Sequence, residues 1–155
     1  MLISFFEANG IVHKEFVLPG QTVNQQFYLG ALKRLRDSVW KKRPEMWSSR
    51  DWFLHHDNSP AHMALSVQQF LAKNNMTVIP HPPCSSDLVP CDFFLFPHMK
   101  CQMKGKCFAD VSKVKKKTLE VLNNISTEEF QKCFQQWDKC WYKCIESKGE
   151  YFEGE

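Results

Sequence analysis

Apolar residues in the amino-terminal third of the chain follow a strand pattern first and a helix pattern afterwards. The segment MLISFFEANGIVHKEFVLPG holds two β-rich runs on either side of Asn9-Gly10, which predicts a hairpin because both turn residues tolerate positive φ. Thr22 and Gln25 then fit a capping box, and Pro44 fits a helix stop. The helix predicted between them has apolar positions at Val23, Phe27, Leu32, Leu35 and Val39.

Two short strands and a helix are predicted next. WFLHHD starts apolar without alternation, as expected for a strand covered on both faces, and MTVIPH is a second short strand. Between them, Ser59 and Pro60 fit the N-cap and first position of a helix over AHMALSVQQFLAKNN. Its predicted core residues are Ala61, Leu65, Phe70 and Leu71. The order of elements predicts an α/β layer fold with a mixed sheet.

The carboxyl-terminal half begins with an irregular segment and then becomes helical. PPCSSDLVPCD is too dense in proline and serine for regular structure. Helices are predicted over FFLFPHMKCQMKGK, DVSKVKKKTLEVLNNI and STEEFQKCFQQWDKCWYKCIES, and Ser126 with Glu129 forms a capping box for the last. The apolar stripe of that helix is predicted to be core: Phe130, Phe134, Trp137, Trp141 and Ile145.

Composition describes an ordinary globular protein with a mild positive charge. The 155 residues fit one domain, with 43% hydrophobic residues, 24% charged residues and a net charge of +3. This charge permits a basic face for nucleic acid without requiring one. Basic residues also gather near the end of the first predicted helix, where they complement the helix dipole or face DNA.

Cysteine usage and apolar runs bear on the compartment. The seven cysteines are an odd number without Cys-x-x-Cys spacing, which argues against a disulfide framework or a zinc knuckle. Cys133, Cys140 and Cys144 are predicted to be buried thiols rather than metal ligands. MLISFF is too short for a signal-peptide core, and no run approaches the roughly 18 apolar residues of a membrane span. We therefore predict a nuclear or cytoplasmic protein that is not secreted.

Two aspartates occupy positions that suit chemistry. Asp57 follows a predicted parallel strand, and Asp92 follows the proline-rich segment, with 34 residues between them. Paired carboxylates suit Mg²⁺, and two such ions can promote phosphodiester cleavage. A single aspartate at a strand end is more often a turn or N-cap residue, and both interpretations remain open here. His55 and His56 beside Asp57 suggest a histidine metal cluster at first sight, but a structural role is favoured.

Three longer segments carry a resemblance to a known family. FLHHDNSPAH, VIPHPPCSSDLVPCDFFLFPHMK and CFQQWDKCWYKCIESKGEYFEG resemble the catalytic domain of mariner-type transposases, over nearly the whole chain. The resemblance implies an RNase H-like three-layer fold and cleavage and joining of DNA with two divalent ions, Mg²⁺ or Mn²⁺. By resemblance, Asp57 and Asp92 are the second and third catalytic, metal-binding aspartates. Asn58 and His62 match supporting residues of the motif.

The sequence also departs from the family pattern. The first catalytic aspartate of the family lies on a strand before the hairpin, and this sequence begins at the hairpin, so residues 1–155 are predicted to form a partial domain without that central strand. Weak metal binding and little or no strand cleavage are therefore expected. No helix-turn-helix module is present, so sequence-specific DNA binding is not expected. Cys84 and Ser86 stand where the family usually has tyrosine and proline.

Three functions follow from these observations. The first is a transposase-derived protein with disabled cleavage and weak, non-specific DNA binding. The second is an active nuclease or transposase module of a longer gene product. The third is a non-enzymatic interaction module that forms a homodimer or pairs with related transposases, as members of the family act as dimers. No membrane contact and no small-molecule cofactor are expected in any of them.

Overall fold

The computed structural model describes residues 1–82 and 88–146, so Cys84 and Ser86 lie outside the described residues. The chain divides into two compact units. The first consists of residues 1–7 and 11–83, and the second of residues 8–10 and the chain from residue 84 onward. Within the described residues, no helix is long and apolar enough to cross a membrane.

The predicted hairpin is present. Strands β1 (Leu2–Glu7) and β2 (Gly10–Phe16) pair in a two-stranded sheet, and Ala8 and Asn9 form the turn. Gly10 has a φ of +126°, a value that side chains other than glycine rarely adopt. The turn therefore uses the conformational freedom of Gly10, whereas Asn9 keeps a negative φ.

Helix α1 (Gln25–Lys42) begins at a different cap from the predicted one. The side chain of Asn24 accepts a hydrogen bond from the amide of Phe27 at 2.9 Å, so the predicted capping box of Thr22 and Gln25 is wrong. Pro44 is a stop for α1 and also the first residue of a short helix α2 (Pro44–Ser49). The buried face of α1 contains Tyr28, Ala31, Leu32, Leu35 and Val39.

We expect Asn24→Ala to destabilise the first unit by about 1 kcal/mol, because the amide of Phe27 loses its acceptor. Thr22→Ala, the matched control, should change the free energy of unfolding by less than about 0.5 kcal/mol. Urea denaturation measures both. A larger loss in Thr22→Ala than in Asn24→Ala would restore the capping box that the sequence suggested.

Two ion pairs join α1 to the hairpin. Arg34 contacts both carboxylate oxygens of Glu15, at 2.8 and 2.6 Å, and the Nε of Arg43 lies 2.8 Å from Glu7. The hydrogen bonds from Arg34 are the main reason that the pKa of Glu15 lies below its ordinary value. Both glutamates of the hairpin are therefore paired with arginines, Glu15 with Arg34 of α1 and Glu7 with Arg43 directly after it.

The second sheet of the first unit is a parallel pair. Strands β3 (Phe53–Leu54) and β4 (Thr77–Val78) lie in register, as the sequence predicted for a strand leading to Asp57. The prediction that β3 is covered on both faces is wrong, because Phe53 is 61% exposed while Leu54 is buried. The described strands form two separate two-stranded sheets, whereas the sequence predicted one mixed sheet.

The helix predicted after Ser59 is divided into α3 (Pro60–Met63) and α4 (Leu65–Lys73). Ala64 between them has an extended backbone, with a ψ of 146°. This break turns Leu65 outward, where it is 69% exposed, so its predicted core role is wrong. The buried residues of α4 are Val67 and Leu71, which join the core of α1 and β3.

The described part of the second unit is almost entirely helical. A π-helical turn (Cys91–Leu95) runs into α5 (Phe96–Met103), followed by α6 (Val111–Asn123) and α7 (Thr127–Glu146). The capping box before α7 is confirmed, since Ser126 Oγ accepts from the amide of Glu129 at 3.2 Å and the Glu129 carboxylate accepts from the amide of Ser126 at 2.8 Å.

The buried face of α7 is partly different from the predicted aromatic stripe. Its buried residues are Phe130, Cys133, Cys140 and Cys144, which confirms the prediction of buried thiols. Ile145 is 72% exposed, so its predicted core role is wrong. Small cysteines at these positions let the helix approach its neighbours closely, while the larger rings of Phe134, Trp137 and Trp141 lie half-buried beside them.

Candidate metal-binding carboxylates

The parallel strand pair delivers Asp57 to the surface of the first unit. The amide of Ile79 donates to the carbonyl of Leu54 at 2.9 Å, so the pairing continues one residue beyond β4. Further along, the side chain of Asn58 donates to the carbonyl of His81 at 2.6 Å. Asn58 thus holds the segment after β3 to the segment after β4, and Asp57 lies in this tied region.

Asp57 is a turn residue, and its carboxylate is nevertheless half-exposed. Its Oδ1 accepts from the amide of Ser59 at 3.1 Å and lies 2.7 Å from Nδ1 of His62. Burial opposes ionisation of Asp57, but the hydrogen bonds from Ser59 and the charge of His62 outweigh it, so its pKa lies below the ordinary value. Asp57 is therefore a turn residue, as one of the two interpretations of the sequence predicted. Its carboxylate is also anionic and half-exposed, which would allow it to bind a cation.

A second layer of side chains supports His62. Its ring lies 3.9 Å from that of Tyr28 and is stacked on His56 at 5.1 Å, measured between centroids. The hydroxyl of Tyr28 lies 2.7 Å from Nδ1 of His56. Tyr28 comes from the buried face of α1, so the helix core fixes the two histidines that surround Asp57. Tyr28 continues the helical spacing of Leu32, Leu35 and Val39, but this spacing predicts only burial and does not show that the hydroxyl reaches His56.

His55 and His81 form a second pair of histidines, and both side chains are partly buried. Nε2 of His55 lies 3.2 Å from Nδ1 of His81. Desolvation lowers the pKa of His55 to about 4, and it lowers the pKa of His56 to about 4 as well. Within residues 1–82 and 88–146, no group of three or more histidine, cysteine or acidic side chains has the geometry of a metal site.

In metal-free buffer, we expect the free energy of unfolding to fall as the pH decreases from about 6.5 to about 4. His56 stays neutral in the folded chain until about pH 4, whereas an unfolded histidine takes up a proton near pH 6.5, so the unfolded state binds more protons in this window. The expected loss from His56 is on the order of 1–3 kcal/mol. Urea denaturation across this pH range measures it.

The control for this pH effect is a pair of histidine substitutions. His56→Gln should reduce the slope, because glutamine does not titrate while His55 still contributes, and His98→Gln in the second unit should leave the slope of the first unit unchanged. Equal slopes in the parent chain and in His56→Gln would contradict the assignment.

Asp92 is carried by the π-helical turn at the start of the second unit's helices. Its amide donates to the carbonyl of Val89 at 2.9 Å, and its side chain is exposed. Burial, followed by the charge of Asp92, raises the pKa of the adjacent Cys91 thiol to about 12. Cys91 is therefore a neutral packing residue beside an exposed carboxylate, as expected for a thiol without a catalytic role.

Helix α7 fixes the segment that precedes Asp92. The indole Nε1 of Trp137 donates to the carbonyl of Leu88 at 2.9 Å, and the Leu88 side chain is buried against Cys140 and Cys144. The sequence predicted only a core role for Trp137, because no local pattern shows that its polar atom reaches a carbonyl 49 residues away.

Asp57 and Asp92 belong to different compact units, the first and the second respectively. Their predicted convergence on one spot stays a prediction from the sequence.

Several known proteins are similar to this chain over nearly its whole length. The Mos1 mariner transposase of Drosophila mauritiana is 31% identical over 154 residues, which cover 99% of this chain and 45% of that protein. The human histone-lysine N-methyltransferase SETMAR is 27% identical over 153 residues, which cover 99% of this chain and 22% of that protein. The Mos1 catalytic domain solved with raltegravir and Mg has a TM-score of 0.88 at 32% identity, over 98% of this chain and 76% of that one. No protein-family model matches the sequence.

These similarities establish both the fold and the family of the chain. The fold is RNase H-like, in the incomplete α/β form that the sequence predicted. Within that class, the chain belongs to the mariner-type transposases and corresponds to about three quarters of the solved Mos1 catalytic domain. It spans less than half the length of the full-length Mos1 transposase and about a fifth of SETMAR.

Proposed function

We propose that residues 1–155 form a partial transposase catalytic domain whose ancestral activity is metal-dependent cleavage and transfer of DNA strands at transposon ends. The observation that carries this proposal is Asp57, an anionic and half-exposed carboxylate at the end of a parallel strand in a mariner-type domain. Its DNA substrate favours a nuclear location.

The metal proposed for this site is Mg²⁺ or Mn²⁺. Carboxylate oxygens are the donors that these ions prefer, and both Asp57 and Asp92 offer exposed carboxylates. Solved Mos1 catalytic domains contain Mg or Mn together with raltegravir, which supports metal use in the family. When bound, such ions activate the attacking oxygen and stabilise the leaving oxygen of a phosphodiester.

Asn58 and His62 are positioning residues in this proposal. Asn58 ties the two strand ends through the carbonyl of His81 at 2.6 Å, and His62 lies 2.7 Å from Oδ1 of Asp57. The amide of Ser59 and Nδ1 of His62 both contact Oδ1 of Asp57, and the side chain stays half-exposed. These contacts support a carboxylate that is held in place and still accessible to a cation.

We expect a polypeptide of these 155 residues to bind metal weakly and to cleave DNA poorly. The family uses three aspartates, and Asp57 and Asp92 match only two of them. The acids of the hairpin are not expected to act as substitutes, because Glu7 and Glu15 are paired with Arg43 and Arg34. Two carboxylates leave a divalent ion with fewer fixed ligands and a less defined position.

A cleavage assay tests both parts of the proposal. The 155-residue polypeptide is compared with one extended at its amino end by the aspartate-bearing strand of the Mos1 catalytic domain, each with labelled duplex DNA and Mn²⁺. The extended chain should nick DNA, and the shorter chain should give little product. Absence of cleavage by both chains would contradict the proposed ancestral activity. Equal cleavage by both would contradict the expectation that the 155-residue chain cleaves DNA poorly.

The DNA interaction itself is proposed to be weak and non-specific. Mos1 transposase has been solved in paired-end complexes and in a strand transfer complex, which supports DNA as the partner of the family. A charge-based contact should weaken steeply as salt increases, equally for transposon-end and random duplexes. Fluorescence anisotropy across a salt series measures this, and binding that is absent or insensitive to salt would count against the DNA contact.

A second candidate function is association with another copy of the chain or with a related transposase. It is favoured by two large apolar side chains exposed three positions apart on α7, Tyr142 at 65% and Ile145 at 72%. Light scattering should then give a mass that increases with concentration towards that of a dimer. A monomer mass at high concentration would remove this candidate.

A further inference from the structure

The helical turn that carries Asp92 is wider than an α-helical turn. The amide of Phe96 donates to the carbonyl of Cys91, five residues earlier, and residues 91–95 form one π-helical turn before α5. An α-helix would instead pair Phe96 with Asp92. Such single π turns inside α-helices are rare and are often found at functional sites.

Pro97 explains why the wide turn occurs at this place. It lies in the second position of α5, immediately after the π turn, so it occupies the interior of one continuous helical segment. A proline there has no amide to donate, and its ring clashes with the carbonyl of the residue four positions earlier, which is Phe93. Widening the preceding turn moves that carbonyl away from the ring.

The wide turn also determines which side chains are buried. It adds one residue to the turn, which rotates the preceding residues by about 100° relative to an unbroken α-helix. In the observed arrangement Leu95 is fully buried, Phe94 packs edge-to-face on Phe130 at 5.7 Å, and Asp92 is exposed. If Leu95 kept its place and the turn were a regular α-turn, the side chain of Asp92 would point in a different direction.

Both ends of the turn are fixed, so the rotation cannot be absorbed elsewhere. On the amino-terminal side, Leu88 is buried and its carbonyl is held by Trp137. On the carboxyl-terminal side, Leu95 is anchored in the core of the second unit. The direction of the Asp92 carboxylate therefore depends on the turn between these two anchors.

We propose that Pro97 is a positioning residue, which sets the direction of the Asp92 carboxylate towards a divalent cation by enforcing the π-helical turn. The proposal rests on the proposed metal role of Asp92. It assigns Pro97 no contact with metal or DNA, because its effect passes through the backbone of residues 91–95.

The test is a Mn²⁺ titration of the 155-residue chain followed by NMR, in which the paramagnetic ion broadens amide signals near its binding site. Pro97→Ala and Pro97→Gln restore an amide and remove the ring, and Pro97 is exposed, so the core is unchanged. Both variants should need at least about fivefold more Mn²⁺ to broaden the amide of Asp92, because ligand direction is lost. Their thermal stability should be equal or higher, since an interior proline disfavours the helix.

Two control variants separate the possible results. Pro44→Ala removes a proline from the first position of α2, where it causes no clash, and should titrate like the parent chain. Asp92→Asn should abolish broadening at residue 92. If Asp92→Asn has no effect, the metal role of Asp92 fails and this inference fails with it. If Asp92→Asn abolishes broadening while both Pro97 variants titrate like the parent, Pro97 has no positioning role and the proposed function stands.

Discussion

Asp57→Asn should abolish metal-dependent strand cleavage by the polypeptide extended with the aspartate-bearing strand. Asparagine keeps the size of the side chain and can still accept from the amide of Ser59, so the turn before α3 is retained. It removes the negative charge on which a hard divalent ion depends. Metal-ion catalysis contributes several kcal/mol, so a loss of at least about a hundredfold in the single-turnover rate is expected.

The matched control is Asp51→Asn, which removes an equal charge from an exposed position at the opposite end of β3. It should keep the parent rate within about twofold, because exposed charges far from the reacting atoms act weakly at moderate salt. Cleavage that survives Asp57→Asn would show that Asp57 is only a turn residue.

Leu32→Ala should cause the largest loss of stability in the first unit. Leu32 is completely buried in the middle of α1, within the cluster formed by the hairpin, α1, α4 and the parallel strands. Truncating a leucine at such a site removes buried apolar surface and leaves a cavity, which costs about 2–5 kcal/mol. Urea denaturation of the first unit, followed by signals of residues 1–82, measures the change.

Leu65→Ala is the control for this prediction. Leu65 is 69% exposed because the helix breaks at Ala64, so the same truncation should cost less than about 0.5 kcal/mol. Equal losses in the two variants would mean that α3 and α4 form one continuous helix with Leu65 in the core, as the spacing of apolar residues suggested.

Elements with local, self-contained signals were predictable from the sequence. The capping box of Ser126 and Glu129, the glycine of the first hairpin and the burial of Leu32, Leu35 and Val39 on α1 each depend on residues a few positions apart. The stripe predicted for α1 was wrong at its start, because Val23 precedes the helix and Phe27 is not buried. The errors came where the outcome depends on distant contacts. Asn24 competes with Thr22 for the same free amides of α1, and only the position of the helix on the core decides which residue caps it.

The carboxylates of the candidate site could be predicted from the sequence, but the residues that hold them in place could not. Asp57 and Asp92 could be selected because long motifs resemble a known family, while their residue types alone fitted an ordinary turn equally well. Tyr28, Trp137 and Pro97 reach their places through the packing of α1, the length of α7 and a widened turn. Helical spacing predicts burial of Tyr28 and Trp137 but not the partners of their polar atoms, and the widened turn before Pro97 leaves no periodic signal.

The proposed function depends most on Asp57 being a ligand of a divalent ion. Crystals of the 155-residue chain soaked in Mn²⁺ at high concentration test it most directly, since the ion is located by its anomalous scattering. We expect one principal peak with an oxygen of the Asp57 carboxylate about 2.1 Å away. A peak coordinated only by the histidines around Tyr28, or no peak near Asp57, would contradict the proposal.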